Sequence, residues 1–401
     1  MKLIKNKSFS LLWFGNTTSV FGNSIYMIGV MWYIVQLTGS GFALGLSALC
    51  ISLPSFLFMI YAGRLADTNK KREIMVISDF LNAVLMLVIG ILISNNTTAV
   101  PLYILIFLSS TLNVFFKPAL LASIPLIVSR DDLTQANASV NTTNQIANVL
   151  GPAVGGILIS QFDIAWVFYL NAITFFISSV AELFITVRPI KVIKEGGYIK
   201  SFINGLNVLK KDPSLLRLII VGGFLINLFL APTFAFITYI CGEVLEVGAK
   251  GLGTADSVLA LGAVIGSLTV MYFSKFDKKK LAILGLVLEG VALLIGGLWD
   301  TYLSLLIWSM LLGIGLSFAG IGISTLTQLI TPEDYLGRVN SVSGAFSAIS
   351  VPLGTLVGGI VLENVNIYLI LLIYGSCILL SSLLFINLKE QSEQKQAVNI
   401  S

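Results

Sequence analysis

The sequence predicts an all-α polytopic membrane protein with twelve transmembrane helices, arranged as two pseudo-symmetric six-helix bundles. Three observations predict this class. The chain of 401 residues is 56% hydrophobic and only 11% charged, with a mean hydropathy of +0.94, too few charges to cover a water-soluble protein of this length. Long apolar stretches recur along the whole chain. The cations cluster in alternate connections between these stretches, which is typical of membrane topology.

Twelve stretches are long and apolar enough to cross a bilayer as helices. We place them near residues 10–36, 42–63, 74–94, 101–127, 138–160, 164–187, 216–241, 252–274, 281–299, 302–330, 338–361 and 367–387. An even number of spans puts both termini on one side. Of the 24 Lys and Arg residues, all but Lys117 (within a span) and Lys250 fall on that same side, so we predict that both termini are cytoplasmic.

A single long polar connection divides the chain between spans six and seven. We therefore predict a bundle at 1–187, a cytoplasmic linker at 188–215 and a second bundle at 216–401 with a short cytoplasmic tail. Within the linker, 202–211 is either an amphipathic helix on the membrane surface or a plain solvated segment, and the sequence leaves both interpretations open.

The two predicted bundles repeat each other in sequence. Asp131 and Asn137 lie just before span five, and Asp334 and Asn340 lie at the same offset around the start of span eleven. The same offset relates three glycines of span five to three glycines of span eleven: Gly151, Gly155 and Gly156 to Gly354, Gly358 and Gly359. Parallel six-helix repeats are one of the ways in which transporter folds are built.

The connector between spans two and three carries the pattern Gly63-x-Leu65-x-Asp67-x3-Lys71-Arg72. This pattern resembles the loop signature of the major facilitator superfamily of secondary transporters. Thr68 and Lys70 depart from it, since the superfamily usually has a basic residue and a glycine there. A generic positive connection on the inner side is the alternative interpretation.

Span five carries a stripe of amides and glycines at helical spacing, so that they share one helix face. Its members are Asn137, Asn141, Asn144, Asn148, Gly151 and Gly155. Gly151-Pro152-x-x-Gly155-Gly156 resembles the span-five signature of drug/proton antiporters, although ordinary packing of small residues gives a similar pattern. Further segments resemble the bacterial macrolide-efflux and enterobactin-exporter subfamily: 37–40, 115–119, 124–125 and 133–137. That subfamily often has an acid where this chain has Asn23.

The resemblance implies the major facilitator fold, in a bacterial cell membrane. It also implies a proton-coupled exporter of a bulky amphiphilic molecule, such as a drug or macrolide, working by alternating access. Export of a siderophore or a lipid-like metabolite is the first alternative, and a transporter-like solute sensor is a more remote one. We expect the partners to be the small-molecule substrate, protons and lipid, and we expect a monomer.

The resemblance places spans one, four, seven and ten around a central cavity. We assign to that cavity a set of amide, aromatic and cationic residues: Asn16, Asn23, Tyr26, Asn113, Lys117, Asn227, Trp308 and Gln328. An amide-lined and aromatic cavity suits a bulky amphiphilic or aromatic solute. Helix packing explains any one of these residues equally well, and Trp32, Tyr33 and Tyr239 are better explained as an interfacial aromatic belt.

Ionisable residues within the spans are the other candidates, because charge in a bilayer is costly and usually functional. Glu289 lies near the middle of span nine and is the candidate coupling acid. The resemblance makes span nine part of an outer scaffold, in which case Glu289 is structural. Asp79 and Glu182 lie nearer the cytoplasmic ends of their spans, and Asp256 lies nearer an outer end.

Other classes of protein are excluded or disfavoured. The chain has no histidine, which removes His-based catalysis and His-ligated metal sites. Its three cysteines lie far apart in apolar spans and form no metal or disulfide spacing. No phosphate-binding glycine motif is present. We therefore expect no enzyme activity, no cofactor, no metal and no nucleic-acid partner.

The connector signature also predicts an inner gate. Span eleven begins inside, so its N-terminus carries partial positive charge, and Asp67 is expected to dock there beside Arg338. Asp277 would mirror this contact at the start of span five. The gate residues are Gly63, Asp67, Lys71, Arg72, Asp277 and Arg338.

Asp67→Ala is expected to slow transport, because it removes the charge that docks on the helix terminus and so weakens the closed inner gate. Transport rates of the wild type and the variant, compared at equal expression, test this. An unchanged rate would count against the gate.

Overall fold

The computed structural model describes residues 2–66, 68, 70–129, 132–188, 206, 209, 212–272, 277–331 and 336–386. A short helix at Lys2–Lys5 precedes the long ones. The first six long helices are α1 (Lys7–Thr38), α2 (Gly41–Ala66), α3 (Lys71–Ser94), α4 (Ala99–Ile127), α5 (Leu133–Gln161) and α6 (Ala165–Leu183). The next six are α7 (Pro213–Val244), α8 (Gly248–Tyr272), α9 (Lys278–Leu298), α10 (Tyr302–Ile330), α11 (Leu336–Asn364) and α12 (Ile367–Ile386).

Each of the twelve predicted spans is confirmed as a helix, with ends that differ from the prediction by a turn or two. Eleven of the described helices are long and apolar enough to cross a membrane. The twelfth, α5, has 29 residues but is less apolar, because its exposed face carries the asparagine stripe. Span five was therefore predicted correctly as a helix although its hydropathy alone is weak.

Several helix ends have clear local causes. α1 begins after Asn6, whose side chain accepts a hydrogen bond from the Phe9 amide, and it ends at Gly39. Gly39 has φ of 58° and its N–H donates to the Val35 carbonyl. Glycine adopts this left-handed conformation without strain and commonly ends a helix in this way. α7 begins with Pro213 after the capping residue Asp212, a favoured start because proline needs no amide partner there.

The chain groups into two compact units. Unit 1 comprises Met1–Lys194 and Thr238–Ser257, and unit 2 comprises Glu195–Ile237 and Val258–Ser401. In unit 1, α1 packs on α5 and α6, and α3 packs on α4 and α6. In unit 2, α9 packs on α10 and α12, and α7 packs on α11. Apart from Leu206 and Leu209, the predicted surface helix at 202–211 lies outside the described residues, and the linker boundaries stay a prediction.

Glycines let α9 and α10 approach closely in unit 2. A methyl group on Gly285 would collide with the backbone of Ala319, and one on Gly322 would lie 2.7 Å from the Ala282 nitrogen. Such close backbone contacts are typical of helix pairs in membranes. The hydrophobic effect does not drive helices together in lipid, and small residues instead let the two backbones approach closely enough for van der Waals packing. α9 and α10 are therefore packed so closely at these glycines that a larger side chain has no room.

Gly285→Ala is expected to lower the apparent unfolding temperature, because the new methyl group meets backbone atoms that cannot move aside. Overpacking of this kind costs about 1–3 kcal/mol. Thermal unfolding of the purified protein in detergent measures the effect. Gly320→Ala is the matched control on α10, because a Cβ there meets no atom of the described residues within 4 Å. Equal unfolding temperatures for the two variants would contradict this account.

Candidate functional site

Unit 2 contains a cavity between α7, α9, α10 and α11. Its volume is about 350 Å³, which lies within the range of small-molecule sites. Apolar side chains make up much of its wall, and several amides and hydroxyls line it as well. The polar members are Asn227, Glu289, Ser324, Thr327, Asn340, Ser343 and Ser347.

Glu289 is the charged residue among the described residues that line this cavity. Its side chain is only 1% exposed, and neither carboxyl oxygen has a hydrogen-bond partner among the described residues. α10 makes room for it at Gly315, where a Cβ would lie 2.9 Å from the Glu289 Cγ. A buried carboxyl group without a partner is rare in folded proteins and calls for a functional explanation.

The wall of the cavity formed by α7 contains a π-helical turn, Ile220–Leu225, which includes Gly222 and Gly223. Polar side chains bind the carbonyl groups of this turn. The Asn227 amide donates to the carbonyls of Gly222 (3.3 Å) and Gly223 (3.1 Å), and Ser347 Oγ on α11 donates to the Gly223 carbonyl at 3.1 Å. π-Turns of this kind are frequent at functional sites, and this one lines the same cavity as Glu289.

Asn227 is the member of the predicted cavity set that the structure brings to this cavity together with Glu289. The Asn227 amide also donates to Ser347 Oγ at 3.3 Å. Trp308 is buried against Gly296 of α9, and Gln328 is exposed on α10. Neither of these two is a described lining residue of the cavity.

The remaining members of the predicted cavity set lie in unit 1. Asn16 is buried and donates to Asn144 Oδ1 at 3.4 Å. Tyr26 is also buried, stacks edge-on against Phe168, and has no hydrogen-bond partner for its hydroxyl among the described residues. Asn23 Oδ1 is likewise buried without a partner. Asn16 therefore contacts α5, and Tyr26 contacts α6.

On α4, Asn113 and Lys117 differ in their surroundings. Asn113 Oδ1 accepts a hydrogen bond from Asn82 Nδ2 at 3.5 Å, whereas the Lys117 side chain is exposed. Asn113 is thus linked to α3, and Lys117 remains available as a cation on the surface of unit 1.

The α5 motif makes close contacts within unit 1. A Cβ on Gly151 would collide with Ser24, and one on Gly155 would lie 3.3 Å from the Ile25 carbonyl. Gly156 faces the backbone of Ala249, and Pro152 is buried. Asn141 and Asn148 are exposed. The small residues therefore pack α5 on α1 and on the start of α8, and the exposed amides face outward from unit 1.

The predicted gate residues are only partly described. Asp67 and the side chain of Arg338 lie outside the described residues, so their docking stays a prediction. Lys71 Nζ donates to the Thr68 carbonyl at 2.6 Å, and Arg72 Nη1 donates to the Ile185 carbonyl at 3.5 Å. No described residue comes within 4 Å of a Cβ placed on Gly63.

Asp277 caps its own helix. Its carboxylate accepts hydrogen bonds from the amides of Lys279 (2.8 Å) and Lys280 (3.3 Å) at the start of α9. This is the role that an aspartate at a helix N-terminus normally has. Docking of Asp277 against the start of α5 remains a prediction.

Sequence reasoning missed several lining residues of the cavity, namely Gly223, Gly320, Ser324 and Thr327. Asn340 was noted only as part of the sequence repeat between the two bundles. The three missed residues on α10 could have been found by their spacing. Gly320, Ser324 and Thr327 are four and three residues apart and therefore share one helix face.

Comparisons with known proteins place this chain among membrane transporters. A family model described as "Transmembrane secretion effector" matches residues 2–400. Macrolide efflux protein A of Streptococcus pyogenes is 24% identical over 384 residues, which cover 92% of this chain and 93% of that protein. Enterobactin exporter EntS of Escherichia coli is 25% identical over 368 residues, which cover 90% of this chain and 87% of that protein.

Solved structures share the fold. The nucleoside transporter NupG superposes with a TM-score of 0.79 at 14% identity, covering 95% of this chain and 98% of that one. A bacterial homologue of the iron transporter ferroportin, in an inward-facing state, gives a TM-score of 0.76 at 17% identity, with 96% and 99% of the two chains covered. At these identities the likeness shows the fold alone.

Proposed function

Because the chain belongs to the transmembrane secretion effector family of the major facilitator superfamily, we propose that it exports a bulky amphiphilic cation in exchange for protons. The chain is a multi-pass membrane protein and a transporter, and it is not an enzyme. The cytoplasmic location of both termini stays our prediction, and it is supported by the distribution of cations. The exchange would proceed by alternating access.

The observation that carries this proposal is the Glu289 carboxyl group in the wall of the unit 2 cavity, which has no hydrogen-bond partner among the described residues. An ionised carboxylate that is removed from water is costly unless it finds a cation or gives up its charge. Binding of a proton removes the charge of the Glu289 carboxylate, and a protonated amine pairs with it. A site that holds one or the other, and never both, couples their movements in opposite directions.

The lining also indicates what kind of solute fits. Apolar residues such as Leu218, Ile226 and Leu316 form much of the wall, and hydroxyls and amides supply a few fixed polar contacts. With a volume of about 350 Å³, the cavity accommodates one arm of a large molecule. Macrolides carry an amino sugar on a large apolar ring, so their amine is well suited to meet Glu289 while the ring remains outside this cavity.

Export of a catecholate siderophore is the second candidate, and the similarity to the enterobactin exporter favours it. Such a molecule has acidic phenols and lacks an amine to pair with Glu289. The exposed Lys117 on α4 is the side chain that would suit an anionic substrate. The two candidates therefore depend on different charged residues, in different units.

Intracellular accumulation separates these candidates. An efflux-deficient bacterium that expresses the protein is given macrolides, cationic dyes, neutral amphiphiles and catecholate siderophores, with and without a protonophore. We expect lower accumulation of amine-bearing amphiphiles, lost when the protonophore is added. Lower accumulation of catecholates alone would establish the siderophore candidate. No change for any compound, with the protein confirmed in the membrane, would contradict export of either class.

A further inference from the structure

Unit 1 holds a cavity of its own, at the end where α1 stops and α8 begins. Its volume is about 350 Å³, which is enough for a small ligand. The end of α5 and the residue before α6 complete its wall. We call this cavity the end pocket, and its polar and α8 lining residues are Trp32, Gln36, Ser160, Gly248, Ala249 and Lys250. The transport mechanism proposed above uses none of them.

Close backbone contacts hold the start of α8 against α5 beside the end pocket. A Cβ on Gly156 of α5 would lie 2.6 Å from the Ala249 carbonyl oxygen and 3.2 Å from the Lys250 Cα. Gly253, one turn further along α8, packs in the same way against the Pro152 carbonyl of α5. The backbone that carries Lys250 is therefore fixed in place at this wall.

Trp32 forms the α1 wall of the end pocket and is only 7% exposed. One edge of its indole packs on the end of α7, with Cζ3 at 3.6 Å from a Cβ placed on Gly242. Cζ3 lies on the opposite side of the indole from its N–H. That N–H makes no hydrogen bond to a described residue, although a buried indole N–H usually has an acceptor. Trp32 therefore has a hydrogen-bond donor to offer to a ligand.

Lys250 is the charged residue among the described residues that line the end pocket. Its side chain is exposed and forms no ion pair with a described residue. Gly248 and Ala249 begin α8, and the first amides of a helix have no acceptor within the helix. Such amides favour an anion. The ammonium group, the indole N–H and the amides of this wall all donate, so the end pocket suits an anionic group.

The acids at this end of unit 1 are not lining residues of the end pocket. Asp163 accepts a hydrogen bond from the Ala165 amide at 2.8 Å and so serves the start of α6. The Glu243 carboxylate lies 3.5 Å from a Cβ placed on Gly39, beyond the end of α1. Glu246 is exposed in the turn between α7 and α8. These carboxylates leave the donors of the end pocket available to a ligand.

Two lining side chains also offer acceptors. Gln36 lies one turn after Trp32 on the same face of α1, and its amide group can both donate and accept. Ser160 Oγ donates to the Ile157 carbonyl at 2.8 Å, so its lone pairs remain to accept a hydrogen bond. A ligand that carries hydroxyl groups beside its anionic group matches this combination.

We propose that the end pocket binds the head group of an anionic phospholipid, with its phosphate at Lys250 and Trp32. Phosphatidylglycerol has the required chemistry, because a glycerol with two hydroxyls follows its phosphate. The end pocket lies at the ends of membrane-spanning helices, which is the level of lipid head groups. Half-buried apolar residues in its wall, Ile159, Ile164 and Val247, suit the lipid carbons next to the phosphate.

The proposal goes beyond export and does not depend on which solute is carried. Inorganic phosphate shares the chemistry of the head group, but it has neither the hydroxyls nor the carbon chain. Binding of the lipid should therefore be stronger than binding of the free ion. Phosphatidylcholine has the same phosphate with a cationic group in place of the glycerol, so it should bind more weakly than phosphatidylglycerol.

Native mass spectrometry of the purified, delipidated full chain tests the proposal. Phosphatidylglycerol, phosphatidylcholine and inorganic phosphate are added in separate titrations, and phosphate is also added in competition with phosphatidylglycerol. A hydrogen bond to a charged group is worth enough that Lys250→Gln should weaken the first bound phosphatidylglycerol by about tenfold. Trp32→Phe, which keeps a ring but removes the N–H, should weaken it in the same direction.

Lys7→Gln is the matched control, because Lys7 is an exposed cation at the other end of α1. It should leave the first phosphatidylglycerol unchanged. Equal weakening in Lys7→Gln and Lys250→Gln would overturn the proposal, since it would show general attraction of lipid to surface charge. An unchanged affinity in Lys250→Gln would also overturn it. Because Lys250 is exposed, this variant decides the matter even if Trp32→Phe fails to fold.

The other ligands separate the sources of the phosphate. Displacement of the lipid by inorganic phosphate at an equal concentration would make the end pocket a site for the free ion and would overturn the lipid assignment. Equal affinities for phosphatidylcholine and phosphatidylglycerol would show that Lys250 does not select an anionic head group, which would also contradict the proposal.

Discussion

Replacement of Glu289 by glutamine is expected to abolish proton-coupled export while leaving the protein folded. The amide keeps the shape of the side chain but can neither take up a proton nor pair with an amine. Loss of one partner of a buried charge pair costs about 2–5 kcal/mol, and 1.4 kcal/mol is a factor of ten, so export should fall by about 30-fold or more. Efflux of a macrolide from preloaded cells, measured at several external pH values, gives the rate.

The pH dependence distinguishes coupling from simple damage. We expect the wild-type rate to vary with pH, and the residual rate of Glu289→Gln to be flat. Glu73→Gln is the matched control, because Glu73 is an exposed acid at the start of α3, and it should behave as the wild type. A Glu289→Gln variant that keeps the wild-type rate and pH profile would remove Glu289 from the mechanism.

Gly320→Leu is expected to block transport without loss of stability. Gly320 lines the unit 2 cavity, and a Cβ at this position meets no atom within 4 Å. The leucine side chain therefore projects four carbon atoms into the space that we assign to the substrate. Helix propensity also favours leucine over glycine, so the unfolding temperature should be unchanged or slightly higher. Export should fall to the level of cells without the protein.

Two further variants on α10 serve as controls for side-chain size and for stability. Gly320→Ala adds a single carbon and should keep most of the activity. Gly313→Leu should destabilise the whole protein, because Gly313 packs directly against the backbone of Leu259 on α8. Normal export by a folded Gly320→Leu protein would show that the unit 2 cavity is not on the substrate path.

The helices could be predicted from sequence because their signal is local. Apolar length and the positions of charges place all twelve, and even α5 was recognised despite its amides. The resemblance to transporters also came from short segments that are read directly along the chain. These features depend on neighbours in sequence, and on the thickness of the bilayer, rather than on packing between distant helices.

The site depended on contacts that the sequence does not encode locally. Family resemblance assigned α9 to the scaffold, yet Glu289 reaches the cavity because α10 has Gly315 at the contact. The π-turn at Ile220–Leu225 shifts the helix face of α7, and no periodicity predicts such a turn. Trp308 was expected at the cavity but packs against Gly296, since its position on the helix face depends on how α10 is rotated.

The two buried acids of unit 1 illustrate the same limit. Asp79 and Glu182 are about a hundred residues apart, and each alone was noted only as an acid near the cytoplasmic end of its span. Their burial follows from the packing of α3 on α6, where Ser179 Oγ donates to the Val76 carbonyl. Interhelical register in membranes is set by packing of small residues, and a single sequence does not specify it.

Purified protein in liposomes with an imposed pH gradient tests the central claim most directly. We expect a macrolide to accumulate inside the vesicles only when the lumen is acidic, and a pH-sensitive dye to report protons leaving as the macrolide enters. Glu289→Gln should show neither signal. Equal macrolide uptake with and without the gradient, or uptake without proton movement, would contradict proton-coupled exchange through this carboxyl group.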